Sequence, residues 1–384
     1  MTYDAVIVGS GVAGLSAALL LAKHGRRVAL IEKDRQAAPL LSGFSRQGLH
    51  CETGFHFTGM LGPGLPLHRF LRYLGVLDYV VPVSIPQMDG AQIIFTDGQA
   101  PVYLPWGRDE LAHALRLRFL GEEKAIAGYL SAINQELDNI PFFSLKPRKS
   151  FPVASTQSLT RHLSQLSNNK ELHMALGLRC ALHGVPPEDI SFTMHARVEG
   201  SFQLSSHSLQ GGGKALANAM LKQLQQYEVD VFTGCAVEEI HVKGRAVEGL
   251  ALASGRRIAS GICLFTPHPA LLPAMLGNGA LRPAYGRRLA NLPETRAPFI
   301  VYGAIPASAA EFLANRAFFI CPQDTISKCM TEQNPNNSMI CVSVAPPANN
   351  MCALSIMTAM EPRPFTAGGD HIHGPRSNYY HDLK

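Results

Sequence analysis

Three glycines, Gly9, Gly11 and Gly14, and an acid, Glu32, carry the most specific chemistry in this 384-residue chain. Their G-x-G-x-x-G spacing lies between a short apolar run, Ala5 to Val8, and an apolar-periodic stretch, Val12 to His24. In that setting Gly9 permits a tight turn, Gly11 lets backbone approach a pyrophosphate, and Gly14 lets helix and strand pack closely. The start of the helix offers free N–H groups and a partial positive charge to phosphate oxygens. Glu32 closes a second apolar run, Arg27 to Ile31. A carboxylate there accepts hydrogen bonds from a ribose diol and disfavours a 2′-phosphate. A dinucleotide is therefore expected on Gly9, Ser10, Gly11, Val12, Ala13, Gly14, Glu32 and Lys33. The motif by itself does not separate NAD from FAD.

Other residue types that could do chemistry are scattered. Glu52 and Asp89 are further carboxylates, of a kind that is usually solvated. Asp370, His371 and His373 form a D-H-x-H run in a glycine-rich stretch, read as an exposed loop, and His241 and His268 are isolated. Gly211 to Gly213 precede Lys214 and Ala215, without the Lys-Ser or Lys-Thr of a phosphate loop, so they read as a turn feeding a helix. The eight cysteines never form C-x-x-C, which leaves free thiols and no metal site as the expectation.

The elements that must position the glycines are legible from periodicity. Strand, turn, helix and strand in about 30 residues make a βαβ unit. Leu65 to Leu77 reads as a helix, Ala91 to Phe95 and Val102 to Leu104 as strands, and Asp109 to Leu137 as one long amphipathic helix or two. Prolines 141, 147 and 152 then break the chain, and Leu159 to Leu182 is again helical. The βα pattern resumes with a helix from Lys214 to Gln226. Four strands follow, around Val229 to Phe232, Val237 to Val242, Ala246 to Ala253 and Gly261 to Phe265, as an edge meander attached to a parallel sheet. Phe142, Phe143, Phe151, Phe192 and Phe202 in the middle region suit either a tunnel for a long apolar substrate or a packed core.

Composition narrows the class. Charged residues are 16% of the chain, under the roughly 25% of an average soluble protein, which suits work near lipid or on greasy substrates as well as a large interior. The net charge of +5 comes from scattered basic residues, which excludes a nucleic-acid stripe. No cleavable leader pattern and no apolar run long enough to span a bilayer stands out, so a cytoplasmic location, with peripheral membrane contact left open, is the expectation.

The segment Ser42 to Leu61, SGFSRQGLHCETGFHFTGML, carries F-x-x-x-G-x-x-x-x-x-G-x-H at Phe44, Gly48, Gly54 and His56. It resembles the FAD-dependent phytoene desaturases, carotenoid isomerases and retinol saturases. The run from Ser208 to Pro267, the stretch MCALSIMTAMEPRPF and the closing YYHDLK resemble the same family. The resemblance implies FAD as cofactor, a backbone contact from Val237 to its adenine end, and His56 beside the isoalloxazine as a weak catalytic candidate or a structural histidine. Two departures stand out. Ala38 and Pro39 occupy the positions of a family Gly-Gly pair, and the family's glycine-rich closing segment, which would follow YYHDLK, does not occur in these 384 residues.

The expected fold is α/β: a glutathione-reductase-like, Rossmann-type FAD-binding lobe from residues 1–61 and 205–270, with an α+β substrate lobe from 62–204 and 271–384, C-terminally incomplete. The implied activity is flavin hydride transfer on C–C or C=C bonds of a lipophilic isoprenoid or polyene: desaturation, saturation or isomerisation. Two alternatives share the architecture, a flavin amine oxidase and a non-catalytic isoprenoid-binding protein similar to the GDP-dissociation inhibitors and Rab escort proteins.

Overall fold

The structure, a computed structural model, describes residues 2–144, 155–277, 279–313, 316–322, 325–332, 334 and 337–360. Its contacts divide the chain into two compact units, Met1–Ser84 with His207–Pro293, and Ile85–Ser206 with Glu294–Lys384.

The first unit is built on a parallel sheet in the order Asp230–Phe232, Val28–Ile31, Ala5–Val8, Cys263–Phe265. Side chains alternate across a strand, and both faces of this sheet are covered, so the strands read as continuous apolar runs. Ile7 and Leu30 face the helices Val12–Lys23 and Gly212–Gln226, among Leu15, Leu19, Leu216, Met220 and Leu224. Val6, Val8, Ala29 and Ile31 face the other way, onto Val237, Ile240, Leu250 and Ile258.

That second face corrects the expected edge meander. The strands Val237–Lys243, Ala246–Leu252 and Arg257–Ser260 form a separate sheet with Thr2–Tyr3, layered on the parallel sheet rather than extending its edge. The apolar second face has to be buried, and the meander supplies the cover. The strand Arg257–Ser260 falls between the expected strands Ala246 to Ala253 and Gly261 to Phe265, where none was expected. The unit boundaries also differ from the expected ones. Residues 62–84 and 271–293 belong to the first unit, where Leu71, Leu74, Val76 and Val80 pack into its helix-side core.

The second unit holds a six-stranded sheet in the order Ala297–Pro306, Met351–Met360, Ile340–Val344, Ala317–Cys321, Gly90–Phe95, Val102–Pro105. Neighbours are antiparallel except Ala317–Cys321 against Gly90–Phe95. A core joins Ile93, Val102, Leu104 and Phe319 of the sheet to Leu115, Ile126, Ile133, Leu163, Leu172 and Phe192 of the helices. Of the one long helix or two expected over Asp109 to Leu137, the structure forms two, Arg108–Arg118 and Glu123–Asp138, broken at Gly121. The stretch Leu159 to Leu182 is three, and its second helix starts at Asn169, whose side chain accepts the Leu172 N–H and so satisfies an orphan donor.

Candidate functional site

In the first unit the strand Ala5–Val8 runs into Gly9, and the helix Val12–Lys23 begins two residues later with Gly11 as its N-cap. A Cβ on Gly14 would sit 1.9 Å from the Gly9 carbonyl oxygen, so only glycine lets the helix lie this close to the turn. Gly11 faces open space, with nothing within 4 Å of where a Cβ would be. No side chain caps this helix, and Gly11, Val12 and Ala13 are exposed. The first N–H groups of a helix have no partners within it, so here they present donors and the positive end of the dipole outward.

Glu32 follows the strand Val28–Ile31 and is 7% exposed. The Ser10 N–H and hydroxyl donate to its Oε2 at 2.8 and 2.6 Å, and the Asp34 N–H donates to Oε1 at 3.0 Å. Burial works to raise the Glu32 pKa, but the hydrogen bonds from Asp34, Ser10 and the Lys33 backbone outweigh it and hold the carboxyl below its ordinary value. The Glu32 carbonyl accepts the Cys235 N–H at 2.8 Å, which brings the chain leading to Val237 beside the acid. Val237 is 7% exposed and opens its strand, while the Lys33 side chain is exposed. Gly9, Ser10, Glu32, Lys33 and the approach to Val237 are thus brought together. Sequence reasoning read Glu32 only as an acceptor for a ligand and missed that Ser10 already engages it.

Beyond the acid, the Ala38 N–H donates to Ser10 Oγ at 2.9 Å, and Ala38 has φ 49° and ψ 53°. That is left-handed backbone, where a residue with a Cβ is strained. The Gly-Gly expectation at Ala38 and Pro39 therefore has a physical counterpart in this conformation.

Ser42 to Leu61 forms a hairpin, Phe44–Arg46 with Leu49–Cys51, and then a loop that carries Glu52 and His56. Glu52 sits on the start of the helix Gly212–Gln226, where the Gly213 N–H donates to it at 3.3 Å. A Cβ on Gly212 would fall 1.5 Å from Glu52 Oε1, so the glycine turn makes room for this carboxyl. Burial pushes the Glu52 pKa up to about 7 in spite of the Gly213 N–H. His50 Nε2 lies 3.1 Å from Glu52 Oε1 but is not aligned to hydrogen-bond to it, and burial with the Lys214 charge lowers the imidazole. His56 is half-buried, which lowers its pKa, and no hydrogen bond joins it to the glycine turn or to Glu32.

The remaining candidates are not gathered at this turn. Asp89 is half-buried in the second unit, where its carbonyl accepts the Trp106 N–H. His268 accepts the Ala270 N–H, and His241 lies 3.5 Å from Glu239 Oε1. Phe192 stacks on His162 at 3.7 Å, Phe202 is buried against Trp106, and Phe142 is exposed. Phe151, Asp370, His371, His373 and the closing YYHDLK lie outside the described residues. Among the described residues no group of three or more His, Cys, Asp or Glu side chains is placed to hold a metal.

A buried polar cluster in the second unit escaped the sequence reading. His195, Glu199 and Gln203 recur every four residues along the helix Phe192–Leu204, so they share one face of it. The Tyr129 hydroxyl lies 2.8 Å from His195 Nε2, Arg179 Nη1 donates to Glu199 Oε1, and Gln203 Nε2 donates to the same oxygen at 2.8 Å. Burial opposes the Glu199 carboxylate, yet Arg179 and the groups around it hold its pKa below the ordinary value. Burial also drives His195 down to about 4, so it is neutral at physiological pH. The signal that would have revealed the cluster is a polar stripe at helical spacing inside an apolar segment.

A three-layer lobe with a glycine turn at a helix N-terminus and a buried acid after the second strand defines a dinucleotide-binding α/β protein. The family described as FAD dependent oxidoreductase matches residues 4–324, and the chain belongs to that family. It is 27% identical over 320 residues to the human all-trans-retinol 13,14-reductase, covering 75% of this chain and 51% of that protein. It is 22% identical over 267 residues to the 4,4′-diapophytoene desaturase of Methylomonas, covering 67% of this chain and 52% of that protein. The chain spans about half the length of the curated relatives it matches. In fold it is similar to a crystallised oxidoreductase from Methanosarcina mazei, with a TM-score of 0.70 at 16% identity, covering 94% of this chain and 80% of that one. Family membership implies FAD as the cofactor. The residues present fit such a group: an uncapped helix start, open space over Gly11 and a buried carboxylate held ionised.

Proposed function

We propose that Gly9, Ser10, Gly11, Val12, Ala13, Gly14, Glu32, Lys33 and Val237 bind FAD, and that the protein catalyses redox chemistry on C–C or C=C bonds of a lipophilic isoprenoid or polyene. The first unit then serves as the cofactor lobe and the second as the substrate lobe. The observation that carries this reading is the uncapped, exposed first turn of the helix Val12–Lys23 beside the buried Glu32. Bound FAD supplies the hydride acceptor or donor that none of the side chains can provide. The backbone N–H groups of the first turn bind and orient the diphosphate, Glu32 fixes the ribose, and Gly14 keeps the turn close enough for both. Support for the substrate class comes from the names of the relatives, a reductase of all-trans-retinol and a desaturase of 4,4′-diapophytoene. The low charge content supports peripheral membrane contact as part of the same reading.

The test begins with the purified chain. Its absorbance between 350 and 500 nm, followed by heat release and mass identification of what comes off, is expected to show FAD. Gly11→Val has room for its side chain in the fold, so it should stay folded and lose the yellow colour. A wild type that stays colourless after FAD is added, or a Gly11→Val variant that keeps its flavin, overturns the assignment.

A further inference from the structure

Between Glu248 and Glu294 the chain has no Asp or Glu, and it carries Arg256, Arg257, Arg282, Arg287 and Arg288. The later part of this stretch forms short helices in the first unit. The turn Pro269–Leu271 runs into the helix Leu272–Met275, and both pack against the helix Pro283–Ala290. Leu272, Met275 and Leu276 rest on the apolar core of the meander, while Leu271, 50% exposed, and Ala274 face water. In the helix Pro283–Ala290 the buried residue is Leu289, and Ala284, Tyr285, Arg287 and Arg288 are exposed, Tyr285 at 51%. Arg288 follows Tyr285 by three residues and Ala284 by four, so ring and cation share one flank. Arg282, exposed, precedes the helix.

The protein itself does not engage these cations. Among the described residues no carboxylate and no hydrogen-bond acceptor holds the guanidinium of Arg282, Arg287 or Arg288. The meander beneath carries Glu238, Glu239 and Glu248, offset there by Lys243, Arg245, Arg256 and Arg257, so the three arginines stand as excess positive charge.

The combination restricts the partner. A nucleic acid would use the arginines and leave Leu271 in water. A neutral apolar surface would cover the leucine and desolvate the arginines without a counter-charge. Anionic lipid meets both needs: the guanidinium fork matches phosphate oxygens, and leucine and tyrosine side chains settle at the boundary between headgroups and acyl chains.

We propose that the turn Pro269–Leu271 and the helices Leu272–Met275 and Pro283–Ala290 form a docking surface for anionic membrane lipid, with Arg282, Arg287 and Arg288 on the headgroups and Leu271 and Tyr285 inserted beneath them. This rests on the lipophilic-substrate reading above, because an isoprenoid or polyene is dissolved in lipid and a protein acting on it has to meet that phase.

The 384-residue protein is sedimented with phosphatidylcholine vesicles that contain or lack phosphatidylserine, at about 0.1 M salt. An arginine near an anionic surface contributes about fivefold, so binding is expected to be about a hundredfold tighter when phosphatidylserine is present. Arg287→Gln with Arg288→Gln, both exposed, should lower that binding about twentyfold and leave the thermal midpoint unchanged. Leu271→Ser should weaken it by about fivefold or more through the lost apolar insertion. Arg26→Gln with Arg116→Gln removes the same charge from exposed positions elsewhere and should change binding by less than about twofold. Equal binding to both vesicles, or a loss that follows Arg26 and Arg116 instead, overturns the surface. So does binding to soluble polyglutamate as tight as to the vesicles, which assigns the arginines to an acidic protein. The substrate reading is measured separately, by quenching of the single tryptophan, Trp106, on titration with all-trans-retinol without vesicles. Retinol binding without vesicle binding removes the docking surface alone, and vesicle binding without retinol binding removes the substrate reading and leaves the surface standing.

Discussion

The Ser10 hydroxyl donates to Glu32 Oε2 at 2.6 Å while its oxygen accepts the Ala38 N–H at 2.9 Å. One small side chain thereby joins the glycine turn, the acid that ends the second strand, and the chain that follows it. Ser10 is fully buried and Ala38 nearly so, which makes both hydrogen bonds expensive to break.

Ser10→Ala should therefore destabilise the protein by about 1–3 kcal/mol, because the Ala38 N–H is left buried without its partner. It should also change the acid limb of the stability curve. The folded pKa of Glu32 lies below its unfolded value, so its contribution is present above the ordinary carboxylate range and is lost as pH falls through the folded pKa. Removing one of the bonds that depress it makes that loss smaller. Urea unfolding of both proteins at pH 7 and at pH 4 measures both effects, and identical midpoints at both pH values would show that the Ser10 bridge contributes nothing.

Ala38 argues in the opposite direction. Its φ of 49° costs a residue with a Cβ about 1 kcal/mol or more, which glycine does not incur. Ala38→Gly should raise stability by about 0.5–1 kcal/mol, even after the added freedom of the unfolded chain is counted. A fall in the thermal midpoint would mean that the methyl group, which is 1% exposed along with the rest of the residue, contributes more through packing than the backbone loses.

The opening strand–turn–helix–strand unit was legible because its signals are local. A strand, three glycines, a helix and an acid within one short stretch can take few arrangements, and in the structure Gly14 packs on the Gly9 carbonyl while Ser10, between Gly9 and Gly11, donates to Glu32. The Ser10–Glu32 bond was not legible, since serine at that position carries no periodic signal. The meander was misplaced because strand order depends on which face needs cover, a tertiary property that turn residues do not encode. The second unit was read least well. Its helix Phe192–Leu204 and its strands Ala297–Pro306, Ala317–Cys321, Ile340–Val344 and Met351–Met360 went unassigned. The polar stripe His195, Glu199, Gln203 acquires its partners from residues as far away as Tyr129, in another helix.

Glu52 should make the protein more stable in mild acid. Its folded pKa of about 7 is above the ordinary value of 4.5, so its contribution is fully present below 4.5 and is lost as pH rises through about 7. At about 1.4 kcal/mol per pH unit, that span corresponds to a loss of about 3 kcal/mol above neutrality. Glu52→Gln keeps an oxygen for the Gly213 N–H and removes the charge. The variant should be more stable than the wild type at pH 8, with the two proteins converging near pH 4.5. A wild type that is the more stable at pH 8 would show instead that the carboxylate's attraction to the helix start outweighs its burial.

His195 has the opposite sign in nearly the same window. Burial lowers its pKa from 6.5 to about 4, so the neutral imidazole contributes stability above 6.5 that is lost as pH falls through about 4. The span again amounts to about 3 kcal/mol. Because Glu52 gains where His195 loses, the wild type should show little net slope from these two groups between about 4.5 and 6.5, and the Glu52→Gln variant should expose the histidine's acid limb. Trp106 lies in the same unit as His195, so its emission during urea unfolding follows the relevant half of the chain. His195→Gln, in the Glu52→Gln background, is expected to flatten the emission-detected stability between pH 6.5 and 4. A slope that persists there assigns the acid loss to another group in the cluster and removes His195 as its source.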